Sequence, residues 1–182
     1  MLPASLTMVL LSHPPRSYHL TCPTGELQLR DASLPIEAGA LLGEVLRHNQ
    51  TLTHLSLWKN DLNASGGKAL LSGIKGNTAL EHMDLRANAL DEACGLAIAA
   101  HLQRNTRIRA LLLSDNNLGP ACGLSLASSW IENDTLTTLD VRANKFDLEA
   151  TKALRGAKSA VVARRQGKGL ASSVELLMDD AA

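Results

Sequence analysis

His54, Ser56, His82 and Asp84 are the residues whose types and spacing invite chemistry. The histidines stand 28 residues apart, and the serine and the aspartate each follow a histidine by two positions. Imidazole and carboxylate in one patch can bind a divalent metal or move a proton. Imidazole beside a hydroxyl can activate a nucleophile. Both readings fail on their surroundings. A metal site wants three or four convergent ligands, and one face of a sheet supplies them poorly. A serine nucleophile wants an oxyanion donor and a sharp turn, and neither is visible here. No phosphate loop, CxxC pair or zinc spacing occurs. The sequence therefore predicts no catalytic residue, no metal and no cofactor, and a polar binding face instead.

The histidine spacing belongs to a period of 28 residues without insertion or deletion. Leu52 to Leu62 returns as Leu80 to Leu90, as Ile108 to Leu118 and as Leu136 to Phe146, after a degenerate copy from Thr24 to Leu34. Repeats at such a period are one supersecondary unit stacked on itself. Each copy opens with an alternation such as Leu55-Ser56-Leu57, the period of a half-buried strand. Two core columns follow: Leu27, Leu55, Met83, Leu111 and Leu139, then Leu29, Leu57, Leu85, Leu113 and Val141. A long return joins neighbouring copies, so their strands must be parallel.

At the strand exit stands a ladder of asparagines, Asn60, Asn88, Asn116 and Asn144, with Ala32 in the first copy. An amide both donates and accepts, so it can satisfy backbone groups of adjacent copies. Asn63, Asp91, Gly119 and Asp147 form a helix N-cap column. Gly39, Gly67, Gly95 and Gly123 recur inside the helix, where glycine costs ~1 kcal/mol and so implies close packing. Asn49, Asn77, Asn105 and Asn133 close each helix, which predicts a left-handed terminal residue. Cys94 and Cys122 occupy equivalent helix positions ~8–10 Å apart, too far for a disulfide.

Alternate strand residues point away from this core. They form the columns Glu26, His54, His82, Ala110, Thr138; then Gln28, Ser56, Asp84, Leu112, Asp140; then Arg30, Trp58, Arg86, Ser114, Arg142. A fourth column at the strand exit holds Asp31, Lys59, Ala87, Asp115 and Ala143. Trp58 stands out, because tryptophan and arginine are enriched in binding hot spots and arginines flank it on both sides. Cation–π stacking within the column is the bland alternative. Trp130 falls in a core column.

The pattern L-x-x-L-x-L-x-x-N-x-L, followed by a glycine-bearing helix, resembles the leucine-rich repeat across about residues 24 to 160. The 28-residue helical form is similar to the ribonuclease-inhibitor type, found also in NOD-like receptors, Ran GTPase-activating proteins and several ciliary and actin-regulating proteins. The resemblance implies an α/β horseshoe of about five strand–helix repeats (24–51, 52–79, 80–107, 108–135 and 136–160). Parallel strands line its concave face and helices its convex face. The resemblance is nearly silent on function; the reading of the exposed columns is a non-catalytic scaffold that binds a protein partner on the concave face, through Trp58, Arg86, Arg30, Arg142, Asp84, Asp140, His54 and His82. One alternative is a GTPase regulator of the Ran GTPase-activating type, whose strand-exit polar residues do not match this chain position by position. Another is a piece of a larger NOD-like receptor or ciliary repeat protein.

Composition bounds the partner. The chain has 182 residues, 45% hydrophobic and only 2% aromatic, which suits thin leucine layers. Lys+Arg and Asp+Glu number 18 each, so net charge argues against nucleic acid, and the reading is a monomer. Three cysteines, Cys22, Cys94 and Cys122, are an odd and sparse set that predicts a reducing, cytoplasmic compartment. No stretch is long enough to span a bilayer, and Met8 to Leu11 is too short for a signal peptide. The asparagine sequons at Asn49, Asn63 and Asn133 would matter only in a secreted chain. Residues 1–23, with Pro14-Pro15, read as an irregular cap or a disordered arm. Residues 161–182 read as a basic then apolar tail or cap, either a frayed end or a docking segment for an acidic partner or an anionic surface.

Overall fold

A computed structural model describes residues 25–32, 34 and 37–179. The irregular start expected at 1–23, with Cys22, lies outside the described residues, as does Thr24. Among the described residues six short strands, β1 (Glu26–Gln28), β2 (His54–Ser56), β3 (His82–Asp84), β4 (Ala110–Leu112), β5 (Thr138–Asp140) and β6 (Glu175–Leu177), form one parallel sheet in chain order. Five helices among the described residues return the chain: α1 (Ala38–His48), α2 (Asn63–Ile74), α3 (Glu92–Leu102), α4 (Pro120–Glu132) and α5 (Leu148–Gly167). Strand register follows the repeat, with His54 opposite His82 and Leu55 opposite Met83. This is the α/β horseshoe. Its core lies between sheet and helices, where both leucine columns are buried and Trp130 is fully enclosed. The Trp130 indole N–H donates to the Leu136 carbonyl at 3.1 Å.

The strand-side asparagines link neighbouring repeats. Asn88 donates through Nδ2 to Leu57 O at 2.8 Å and Arg86 O at 2.9 Å, and its Oδ1 accepts from Asn60 N and Leu62 N. Asn60, Asn116 and Asn144 also reach the preceding strand, at Leu29 O, Leu85 O and Leu113 O. The residue one before each asparagine is left-handed: Lys59, Ala87, Asp115 and Ala143, like Asp31 in the first copy. The strand-exit column is thus a row of turn residues as well as an exposed one. In it the ladder takes one more step, since Lys59 N donates to Arg86 O and Ala87 N to Ser114 O.

The helix-exit asparagines are not left-handed. Asn49 and Asn133 are extended, at φ −82° and −87°. Their role is played by the side chain. The Asn133 Oδ1 accepts from Thr135 N and Leu136 N, while Nδ2 donates back to Leu102 O and Asn105 O. Asn77 repeats this, donating to Leu46 O and Asn49 O. A second asparagine ladder thus runs along the helix rim. Of the N-cap column, Asp91 and Asp147 accept from Cys94 N and Ala150 N. Asn63 instead lies within α2, and its Oδ1 accepts from Ser65 N.

The glycine column exists for close approach. A Cβ on Gly39 would lie 2.2 Å from the Gly66 carbonyl oxygen, and one on Gly95 would lie 2.2 Å from Cys122 Sγ. Cys94 and Cys122 are free and buried, and burial pushes their thiols up to about 11 and about 12.

The tail is folded. Helix α5 continues past residue 160, and β6 adds a sixth strand against β5. The basic residues of this segment have partners within the chain. Arg164 and Lys168 pair with Asp134 at 2.9 and 2.7 Å, and the buried Arg165 donates to Ala171 O. That use leaves Arg164, Arg165 and Lys168 little freedom to serve as a docking segment.

Candidate functional site

The strands are three residues long, so each one offers two side chains to the concave face and a third just past its end. His54 and His82 stack there, ring centroids 4.0 Å apart and planes 9° from parallel. Burial lowers the His82 pKa, and the neighbouring His54 lowers it further, against the opposing pull of Glu81. Glu26, Arg30, Ser56, Asp84 and Leu112 join them around a shallow hollow of about 250 Å³. Among the described residues no group of three histidines, cysteines or carboxylates is placed to hold a metal.

Strand alternation predicts Asp84 and Asp140 on the open surface, but both are buried. The cause is the residue two positions on. Arg86 folds back over Asp84 in a fork, Nε to Oδ1 and Nη2 to Oδ2, each 2.8 Å. Arg142 does the same to Asp140 at 3.0 and 2.9 Å. Burial alone would raise both carboxyl groups. The guanidinium hydrogen bonds override it and hold them below the usual carboxylate range, aided by Ser56 and Ser114. The Asp84 and Asp140 carboxylates therefore orient their arginines.

Ser56 extends this chain of contacts, accepting from Arg30 Nε at 3.1 Å and donating to Asp84 Oδ2 at 3.0 Å. Arg86 also lies 6.0 Å from the Trp58 ring centroid. Arg30, Ser56, Asp84, Arg86 and Trp58 are thus one connected set across three repeats. Trp58 is 40% exposed at its end. The repeat places these residues on one face but is silent on the pairing of aspartate and arginine within a strand. The spacing Asp-x-Arg, present at 84–86 and 140–142, is the signal that carries it.

Arg86→Ala would leave the buried Asp84 unpaired, so it is expected to lower stability as well as any binding. Trp58 has no such obligation and is the cleaner probe of this face.

A leucine-rich repeat family model matches residues 48–71. A search of curated proteins gives no match. Among solved structures, the chain is similar to leiomodin-1 actin-binding site 2, with a TM-score of 0.66 and 19% identity, covering 91% of this chain and 92% of that one. It is also similar to the tropomodulin C-terminal domain of Caenorhabditis elegans, with a TM-score of 0.64 and 14% identity, covering 79% and 87%. At these identities the likeness is one of fold.

Proposed function

We propose that this chain is a non-catalytic, monomeric interaction module of the ribonuclease-inhibitor-like class that holds a protein partner on its concave strand face. The observation that carries the reading is the half-exposed Trp58 beside Arg86, which the buried Asp84 holds in place. An exposed aromatic ring next to pre-oriented cations is the composition of an interface hot spot. Arg30, Arg86 and Arg142 present cationic tips, His54 and His82 a flat aromatic stack, and Asp84 and Asp140 position the arginines. The buried free thiols of Cys94 and Cys122 support a cytoplasmic setting. The even charge balance supports a protein rather than a nucleic-acid partner.

Actin is the first partner to test, because one similar structure is described as an actin-binding site and spans nearly the same length. Pelleting with actin filaments and a fluorescence titration with actin monomers measure this directly. Trp58→Ala is expected to weaken capture by at least about tenfold, as hot-spot truncation does, with the thermal midpoint unchanged. Absence of any binding to actin removes actin alone. The concave-face reading falls if the partner, captured from the source cell, is retained equally by wild type and Trp58→Ala.

A further inference from the structure

The helix rim is not uniform. Helices α1 and α2 meet backbone to backbone, since a Cβ on Gly73 would sit 2.1 Å from the Gly43 carbonyl carbon. One 28-residue repeat on, the positions of Gly43 and Gly73 hold Leu71 and His101. The same pair is Ala99 with Ser129 at the next junction and Ala127 with Ala157 at the last. Only between α2 and α3 are both residues large. The contact between those helices is the thinnest of the adjacent pairs.

The helix-rim asparagine ladder breaks at the same place. Asn105 should donate to Ile74 O and Asn77 O by analogy with Asn77 and Asn133. Instead its Nδ2 lies 3.3 Å from His101 Nε2. Asn105 is half-buried, whereas Asn77 and Asn133 are buried. Between the two helices lies a groove of about 540 Å³, with Leu71, Ala97 and Ala100 among its apolar lining. Lys68, Lys75, Arg104 and Arg107 also line it, and no carboxylate does. Lys68 and Arg107 have acidic neighbours, Asp91 at 3.8 Å and Glu81 at 3.6 Å. Among the described residues neither Lys75 nor Arg104 has an ion-pair partner.

We propose that the α2–α3 groove is a second binding site, which takes an acidic segment of a partner protein with an apolar side chain seated on Leu71, Ala97 and Ala100. An opening with an apolar floor and an unbalanced cationic rim is complementary to such a segment. Two unpaired cations are too few to track a nucleic-acid backbone, where many phosphates must be neutralised together. The site lies on the opposite face from Trp58, so the module holds two partners at once.

The test is selection of random twelve-residue displayed peptides on the folded protein. The expected winners carry glutamate or aspartate beside a leucine or an aromatic residue. They should lose at least tenfold in affinity on Lys75→Glu/Arg104→Glu. Leu71→Ala/His101→Ser, which copies the small residues of the neighbouring junctions, should abolish binding by closing the groove. If that variant does not fold, the surface charge reversal carries the test. Trp58→Ala should leave the peptides bound. Selection without acidic enrichment overturns the proposal, and so do peptides that survive the charge reversal or that Trp58→Ala releases.

Discussion

On the strand side, Asn60, Asn88, Asn116 and Asn144 each reach back to the preceding repeat. On the helix side, Asn77 and Asn133 do so and Asn105 does not. The difference shows which rim sets the geometry of the stack. Strand spacing is fixed by backbone hydrogen bonds, at ~4.8 Å whatever the side chains. Helix spacing has no such rule and follows side-chain volume. A horseshoe can therefore open a groove on its helix rim while its sheet stays continuous.

The largest expected effect separates the intact rungs from the broken one. Asn88→Ala leaves two buried backbone N–H groups, of Asn60 and Leu62, without a partner, each worth ~1–3 kcal/mol, and takes one of two donors from Leu57 O and from Arg86 O. It should be strongly destabilising, as should Asn60→Ala and Asn116→Ala, whose amides make the same bonds one repeat away. Asn77→Ala should cost more than Asn105→Ala by over about 1 kcal/mol, because only Asn77 bonds across the junction. Chemical denaturation of these variants measures this. Equal costs at 77 and 105 would show that the rung at Asn105 is intact.

A glycine pair probes the same contrast with an effect of either sign. In Gly73→Ala the new methyl meets the Gly43 backbone, which cannot yield. Overpacking costs ~1–3 kcal/mol and outweighs the ~1 kcal/mol that alanine adds to a helix. A methyl on Gly76, beside the open groove, would meet nothing within 4 Å. Gly76→Ala should be neutral or stabilise by up to about 1 kcal/mol through the unfolded chain. Destabilisation at both sites would mean that α2 and α3 are as close as α1 and α2.

The fold is legible in the sequence because every core column, the strand-side asparagines and the glycines repeat in register. Periodicity reports what all copies share. It is blind to what one copy does differently, and both candidate sites are of that kind. Asp84 looks exposed by alternation, and only the return of Arg86 over it buries it. The groove escapes the repeat pattern because Leu71 and His101 are ordinary helix residues until compared with Gly43, Gly73, Ala99 and Ala157. The helix-exit asparagines stand where the pattern puts them but in a different conformation, since asparagine can end a helix by its backbone or by its amide.

Both rims should also respond to mild acid, and the concave face again at lower pH, though by less. His82 on the concave face and His101 beside the groove both have pKa values lowered by burial. A histidine depressed in the folded state takes up its proton more readily when unfolded. Its stabilising contribution is therefore complete above the ordinary value of about 6.5 and is lost as pH falls through the folded-state value. Thermal midpoints should drop between neutral pH and mildly acid pH, and His82→Gln with His101→Gln should flatten that slope. Asp84 and Asp140, also depressed, act in a lower window, losing their contribution only below the ordinary carboxylate range. A profile that stays steep in the double glutamine variant would assign the acid sensitivity elsewhere.

The smallest effect comes from one substitution made on each rim. Ala87 sits at φ +52°, where its Cβ crowds the following carbonyl at a cost of ~1–2 kcal/mol. It is held there because its N–H donates to Ser114 O before the chain turns into Asn88. Ala87→Gly removes that crowding but adds ~0.5–1 kcal/mol of unfolded-state freedom. The net expectation is a gain of up to about 1 kcal/mol, read as a higher denaturation midpoint at unchanged slope. Ala100→Gly, in the ordinary helical backbone of α3, has the freedom penalty and no crowding to relieve, and should lose ~1 kcal/mol. The same chemical change thus has opposite signs on the two rims, because the strand exit turns through a conformation that the helix never visits. Loss of stability in both variants would show that the strand exit is not strained, and that the column Asp31, Lys59, Ala87, Asp115 and Ala143 is free to carry any residue.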